Sequence, residues 1–297
     1  MTEKLTQCPV CRGGNFSGYL EVKDHFLTGE TFQIQYCQGC GFRFVNPRPG
    51  NTEIGRYYQS EDYISHGVEK RDLISRLYKQ ARTFSIRKKY SIVHKYATTG
   101  KILDIGCGTG EFLAYCRSKG FSITGVEPGE KARHFARTEN RIPVSEQLSG
   151  LTVQPAYFDC ITLWHVLEHI HDLDETIGRV KELLAADGTL VIALPNSNSW
   201  DKNRYREFWA AFDVPRHLYH FTAKTFGEFA ARNGFELQKT IPQKLDAYYV
   251  SMLSEKYLHG KINYLKALIF GFWSNLQARR RDTGHSSLIF VLKMKKG

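Results

Sequence analysis

This 297-residue chain has no long apolar run. Its longest, around Leu265 to Trp273, falls well short of the roughly 20 residues a membrane-spanning helix needs, so no span is expected. No apolar core follows the opening residues MTEKLTQCPVC, so no secretory signal is expected and a cytoplasmic location is the default. Internal repeats and low-complexity tracts are missing too, which excludes solenoids and arrays. Acidic residues are in deficit, 30 against 41 Lys and Arg, and the formal charge of +11 makes a polyanion such as RNA or an acidic lipid surface a conceivable partner. The surplus is scattered, with clusters at Arg87-Lys88-Lys89, Arg279-Arg280-Arg281 and Lys293 to Lys296, and such runs are more often solvated faces, so nucleic acid is not favoured. The chain is 42% hydrophobic and 24% charged, as in a globular protein, and its length suits one large core with a smaller appendage.

Cysteine is concentrated at one end. Four of the seven fall before residue 41 in two pairs, CPVC (Cys8, Cys11) and CQGC (Cys37, Cys40). Between them GYLEVKDHFLTGETFQIQY alternates like two strands joined by a turn near Thr28-Gly29-Glu30. Each pair sits on a tight turn, helped by Pro9, Gly39 and Gly41, so four thiolates could converge on one zinc ion as in a zinc ribbon. Disulfides are the competing reading, disfavoured in a reducing compartment. A closed four-cysteine site has no open position, so this zinc would be structural, stabilising a segment too small to bury a core. Cys107, Cys116 and Cys160 are expected to be small buried thiols.

NPRPG (46 to 50) ends the ribbon, and YYQSEDYISHG follows as an aromatic-rich connection. From Lys70 to Tyr96 the spacing of Leu73, Leu77, Ala81 and Phe84 predicts an amphipathic helix. Beyond residue 101, short β-branched runs alternate with helical stretches. Strands are predicted at 101 to 106, 122 to 128, near Pro143 to Leu148, and at 158 to 165, 188 to 196, 235 to 241 and 286 to 294. Helices are predicted at EFLAYCRSKG and DETIGRVKELLAADG, the second stopped by Gly188. Ala247 to Asn275, rich in Tyr, Leu and Phe, reads as an added helical cover. The expected fold class is α/β, a mostly parallel sheet with helices on both faces. The expected domains are 1–50, a zinc-ribbon-like module; 51–99, a connecting and helical segment; and 100–297, the α/β domain.

HVLEH, residues 165 to 169, matches the metal-binding pattern of inverted zinc metallopeptidases, since on a helix His165 and His169 would share a face beside Glu168. A peptidase needs a third ligand and other surroundings. FDCITLW, just before it, reads as a buried strand, so HVLEH is expected to begin a helix at the strand end, where open α/β sheets bind ligands. The stretch LDIGCGTGEFL (103 to 113) runs a strand into Gly106, Gly108 and Gly110 with a helix directly after, a turn that lets a ligand approach closely. Glu111 stands where a dinucleotide fingerprint needs its third glycine, and Asp104 precedes the loop, so the ligand is expected to be cationic rather than doubly phosphorylated.

The D-x-G-x-G-x-G pattern at Asp104 to Gly110 resembles the first motif of class I S-adenosylmethionine-dependent methyltransferases, and FDCITLWHVLEHIHDLDETI and LAADGTLVIALPN resemble that family's fourth- and fifth-strand motifs. The resemblance covers roughly residues 70 to 297. It implies a Rossmann-like methyltransferase sheet with S-adenosylmethionine as cofactor, held by Asp104, Gly106, Cys107, Gly108, Gly110, Glu127, Pro128, Trp164 and His165, with Glu127 accepting from the ribose hydroxyls. Methyl transfer from a sulfonium requires alignment and, for a hydroxyl acceptor, a base. His165, His169, His217 and His220 are the candidates, the last two from FDVPRHLYHFT (212 to 222), where Arg216 is expected to pair with Asp213 or with an acidic substrate group. A four-cysteine module joined to this core resembles uncharacterised bacterial methyltransferases and, more loosely, sugar C-methyltransferases and rRNA guanine methyltransferases with a zinc module. The core motifs are also similar to ubiquinone-type O-methyltransferases. The expected function is methyl transfer to a small-molecule acceptor, a sugar or an isoprenoid- or polyketide-like hydroxyl compound. The alternatives are RNA methylation, or a non-catalytic zinc-ribbon interaction protein.

Overall fold

The structure, a computed structural model, describes residues 2–59, 73–278 and 284–295. The Arg279-Arg280-Arg281 cluster, Lys296, most of YYQSEDYISHG and the first residues of the helix predicted from Lys70 lie outside these. The elements in chain order are β1 (Thr2–Glu3), β2 (Phe16–Lys23), β3 (Thr31–Cys37), β4 (Arg43–Val45), β5 (Arg48–Pro49), α1 (Leu73–Tyr96), β6 (Lys101–Ile105), α2 (Glu111–Arg117), β7 (Ser122–Val126), α3 (Glu130–Thr138) and β8 (Val144–Ser145). They continue with β9 (Phe158–Trp164), α4 (Leu173–Leu183), β10 (Leu184–Pro195), α5 (Trp200–Tyr205), β11 (Tyr219–His220), α6 (Ala223–Arg232), β12 (Phe235–Pro242), α7 (Asp246–His259), α8 (Tyr264–Gln277) and β13 (Ser287–Met294). Each strand predicted from residue 101 onward is present, within a few residues of its expected ends.

A seven-stranded sheet runs β12-β13-β10-β9-β6-β7-β8, with β6 parallel to both β7 and β9 and β7 parallel to β8. Chain order reverses at β6, whose two neighbours come from opposite directions along the sequence. Such a switch point opens a ligand crevice at the carboxyl ends of the strands. The sheet core is as apolar as a strand buried on both faces requires: Ile102, Leu103, Phe158, Cys160, Ile161, Leu163, Val191 and Ile192 are all buried.

The chain divides into two compact units, Met1–Ser60 with Leu167–Leu173 and Ala193–Phe290, and Glu61–Val166 with Asp174–Ile192 and Val291–Gly297. In the first, β2, β3, β4 and β11 form an antiparallel sheet in the order β11-β4-β3-β2. The hairpin turn between β2 and β3 is held by the Asp24 carboxylate, which accepts from the amides of Phe26, Leu27 and Thr28. Val22, Ile34 and Val45 pack with Trp209, Phe212 and Val214 in one cluster. The helical cover expected from Ala247 is α7 and α8. Buried Asp201 ties α8 down, accepting from the Trp209 indole at 2.8 Å and from the Ser274 and Ser286 hydroxyls at 2.8 and 2.7 Å.

Arg216, 1% exposed, pairs with Asp213 as expected, at 2.7 Å, and also with Asp24 at 2.8 Å, while donating to the Tyr57 carbonyl at 3.0 Å. Its partners are the protein's own, so it is a structural residue. Arg216→Ala would leave the Asp24 carboxylate buried without its cation, and a loss of about 3–5 kcal/mol is expected in urea denaturation. A cost under about 1 kcal/mol would reduce the pair to the rank of a surface ion pair.

Three local expectations are corrected. HVLEH does not start an α-helix: His165 has a left-handed backbone (φ 60), only a 3-10 turn follows at Leu167–His169, and α4 begins at Leu173. The left-handed residue breaks the run of helical dihedrals that the pattern assumed. Gly188 does not stop α4, which ends at Leu183 and passes directly into β10. A Cβ at Gly188 would come within 2.8 Å of the Ala185 carbonyl oxygen, so this glycine relieves a close backbone approach at the start of β10. Phe84, assigned to the apolar face of α1, is 58% exposed, and the buried residues of that helix include Ile92 and Val93 nearer its end.

Candidate active site

The glycine loop leaves β6 at Ile105 and is pinned at once to the next strand, because the amides of Gly106 and Cys107 both donate to the Val126 carbonyl at 2.7 and 3.0 Å. Gly106 has φ +71, and a Cβ there would lie 2.4 Å from Val166, so only glycine fits. Gly108, at φ +54, differs: a Cβ would meet nothing within 4 Å, so the loop faces open space at this point. Its amide donates to Glu127 Oε2 at 2.8 Å, and the Gly129 amide donates to Oε1 at 2.8 Å. A carboxylate has about four lone-pair positions, so Glu127 is fixed by two backbone donors and keeps acceptor capacity for a ligand. Arg133 braces the turn by donating to the carbonyls of Glu127 and Pro128 at 2.8 and 2.7 Å. Gly110 caps the loop, and α2 starts at Glu111.

Asp104 stands opposite Thr162 in the β6–β9 register, and the Thr162 hydroxyl donates to its carboxylate at 2.5 Å. It is 2% exposed, and burial pushes its pKa up to about 7, opposed by the Thr162 hydroxyl and by the Lys89 ammonium. A carboxyl group in that state gains much from a cation arriving beside it. Trp164 ends β9, its ring edge-on to Phe112 at 5.6 Å and with Lys89 4.9 Å over its face. Its buried indole nitrogen has no hydrogen-bond acceptor among the described residues. His165 follows in its left-handed conformation, a departure that clusters at functional sites. Burial pushes the Cys107 thiol well above its ordinary range, so it is no nucleophile. Asp104, Gly106, Cys107, Gly108, Gly110, Glu127, Pro128, Trp164 and His165 thus all lie along or just beyond the carboxyl ends of three adjacent strands. The reading of the sequence missed Arg133, Thr162 and Val166; only the strand register marks Thr162.

The other candidate histidines lie in the first unit. His169 and His217 meet edge-on, ring centres 4.6 Å apart. Burial, with the His217 charge, lowers the His169 pKa to about 4, and its Nδ1 lies 3.0 Å from both the Arg216 carbonyl and the Tyr58 hydroxyl. His217 Nδ1 donates to the Ala211 carbonyl at 2.8 Å. His220 is 3% exposed in β11, edge-on to Phe212, and burial holds it well below the usual histidine range.

The four N-terminal cysteines converge, their sulfurs all within 4.8 Å of one another. Cys8 and Cys40 are 3.6 Å apart and Cys11 and Cys37 3.5 Å, too far for disulfides, and all four are free thiols. A tetrahedron with zinc–sulfur bonds of about 2.3 Å has edges of about 3.8 Å, so the donor set fits zinc. Gly41, at φ +81, allows the second turn. No helix among the described residues is long and apolar enough to cross a membrane.

The methyltransferase domain family matches residues 70–240. A ubiquinone biosynthesis O-methyltransferase from Azoarcus is 29% identical over 105 residues, 33% of this chain and 45% of that protein. One from Yersinia enterocolitica is 30% identical over 109 residues, 34% of this chain and 45% of that protein. The chain therefore spans less than half the length of these relatives. The crystal structure of a SAM-dependent methyltransferase from Archaeoglobus fulgidus superposes with a TM-score of 0.50 at 20% identity, over 75% of this chain and all of that one, a likeness of fold.

Proposed function

Since this chain belongs to the methyltransferase domain family, we propose that it transfers a methyl group from S-adenosylmethionine to a hydroxyl-bearing small molecule, a sugar or an isoprenoid- or polyketide-like compound. The observation that carries the reading is the Glu127 carboxylate, held by the Gly108 and Gly129 amides beside the open face of the glycine loop. Glu127 would receive the ribose hydroxyls, Asp104 would counter the donor's positive charge, and Trp164 would offer its indole N–H. The cofactor supplies an activated methyl on a sulfonium, so the protein's task is to align the acceptor and remove its proton. His165, at the rim of the crevice, is proposed as the base. His165→Asn should lower turnover by about a hundredfold while leaving donor affinity intact. Equal loss of both would make it a binding residue.

Donor binding should depend on pH through Asp104. Its pKa of about 7 lies above the ordinary aspartate value because burial penalises the charge, and a bound cation favours the ionised form. Affinity should therefore be full above about pH 8 and fall towards tenfold per unit below about pH 6, and Asp104→Asn should flatten the profile. Calorimetry across that range checks it, and a flat wild-type profile would remove Asp104 from the donor site.

The closed four-cysteine cluster is proposed to hold one structural zinc ion. The function is tested by following S-adenosylhomocysteine release with panels of hydroxylated small molecules and with structured RNA. Turnover with a small molecule, insensitive to moderate salt, supports the reading. Turnover only with RNA, its binding collapsing as salt rises, would replace it, because phosphate contacts release counterions.

A further inference from the structure

Glu168 and His169, the last two residues of HVLEH, meet His217 inside the first unit. One potential ligand atom from each of the three lies within 4.8 Å of the others. Both rings have their orientation and tautomer fixed. His169 Nδ1 faces the Arg216 carbonyl at 3.0 Å and His217 Nδ1 faces the Ala211 carbonyl at 2.8 Å. A carbonyl oxygen can only accept, so each ring carries its proton on Nδ1 and, when neutral, keeps a lone pair on Nε2. Metal-binding histidines are held in this way.

The charge around them also asks for a cation. Glu168 is 1% exposed. Asp213, 3.9 Å from His217 Nε2, and Asp24 share the guanidinium of Arg216. Two carboxylates thus divide one guanidinium beside His217. With the His217 proton on Nδ1, its Nε2 and the Asp213 carboxylate are both acceptors, and a positive charge near them relieves the mismatch.

We propose that Glu168, His169 and His217 bind one divalent transition-metal ion at a site separate from the cysteine cluster. Two imidazoles and a carboxylate suit zinc, cobalt or iron better than calcium or magnesium, which prefer all-oxygen sites. Three protein ligands leave coordination positions open, which an oxygen of water or of a small molecule can fill. The inference rests on the convergence of these side chains and stands whether or not the proposed methyl transfer is correct.

The test is metal stoichiometry on the full-length protein, stripped and then titrated with Co²⁺ and, separately, Zn²⁺. Two ions per chain are expected: one giving the thiolate-to-cobalt charge-transfer band of the cysteine cluster, and a second giving ligand-field bands without it. His217→Ala and Glu168→Gln should each lose the second ion and keep the first, and retention of the thiolate band reports that the variant is folded. A single ion in the wild type, or a second ion with thiolate character, overturns the site, and these readings hold even if a variant fails to fold. A second ion that survives both substitutions also overturns it.

Discussion

Replacing Glu127 with alanine is expected to weaken S-adenosylmethionine binding roughly a thousandfold, since two hydrogen bonds to a charged acceptor contribute about 1.5–3 kcal/mol each. The effect has two sources in the structure. The carboxylate is the proposed receptor for the ribose hydroxyls. It is also the acceptor that fixes the Gly108 and Gly129 amides, each at 2.8 Å, so its loss frees the loop that faces the ligand. Glu127→Gln separates the two. It keeps one oxygen for a loop amide but turns the other position into a donor, so binding should fall almost as far although the side chain is the same size. Calorimetric titration with S-adenosylmethionine and S-adenosylhomocysteine reads this directly. A loss of less than about fivefold for Glu127→Ala would mean that the ribose is held elsewhere.

Removing the zinc proposed for the cysteine cluster should be the most disruptive single treatment of the first unit. Apparent zinc affinities of four-ligand structural sites correspond to about 10–16 kcal/mol, and that free energy is folding free energy when the ligands do not otherwise converge. Phe42, just after the second turn, packs on Phe44, Tyr219 and Phe221, and Val10 is buried in the first, but the residues from Cys11 to Asn15 are exposed or half-buried. Chelation, or Cys8→Ser, should therefore release amide protection from the two turns and loosen β4 beside them, read by hydrogen exchange. The second unit should keep its protection. Unchanged exchange at Cys8 to Gly13 and Cys37 to Phe42 after the metal is removed would show that these turns stand on packing alone.

Much of this was legible from local pattern. Short β-branched runs marked the strands from residue 101 onward, and Asp104 with the three glycines marked the crevice, because a tight turn and a buried carboxylate impose strict residue types on a short window. Paired cysteines marked the zinc-like cluster for the same reason. The pairing of Arg43 and Phe44 with His220 and Tyr219 was hidden, since two short strands far apart in the chain carry no mutual pattern. So was the left-handed backbone of His165, which no glycine or asparagine announced. The meeting of Glu168, His169 and His217 depends on that same long-range folding: HVLEH looked like a one-helix motif, and the partner of its last histidine came from beyond the fifth predicted strand.

The most direct measurement is a crystal structure with S-adenosylhomocysteine bound. The account predicts both ribose hydroxyls on the Glu127 carboxylate, the ligand lying across the open face of Gly108, and its amino group on the side of Asp104. A ligand that left Glu127 and the glycine loop untouched, or a protein that took up none at saturating concentration, would contradict it.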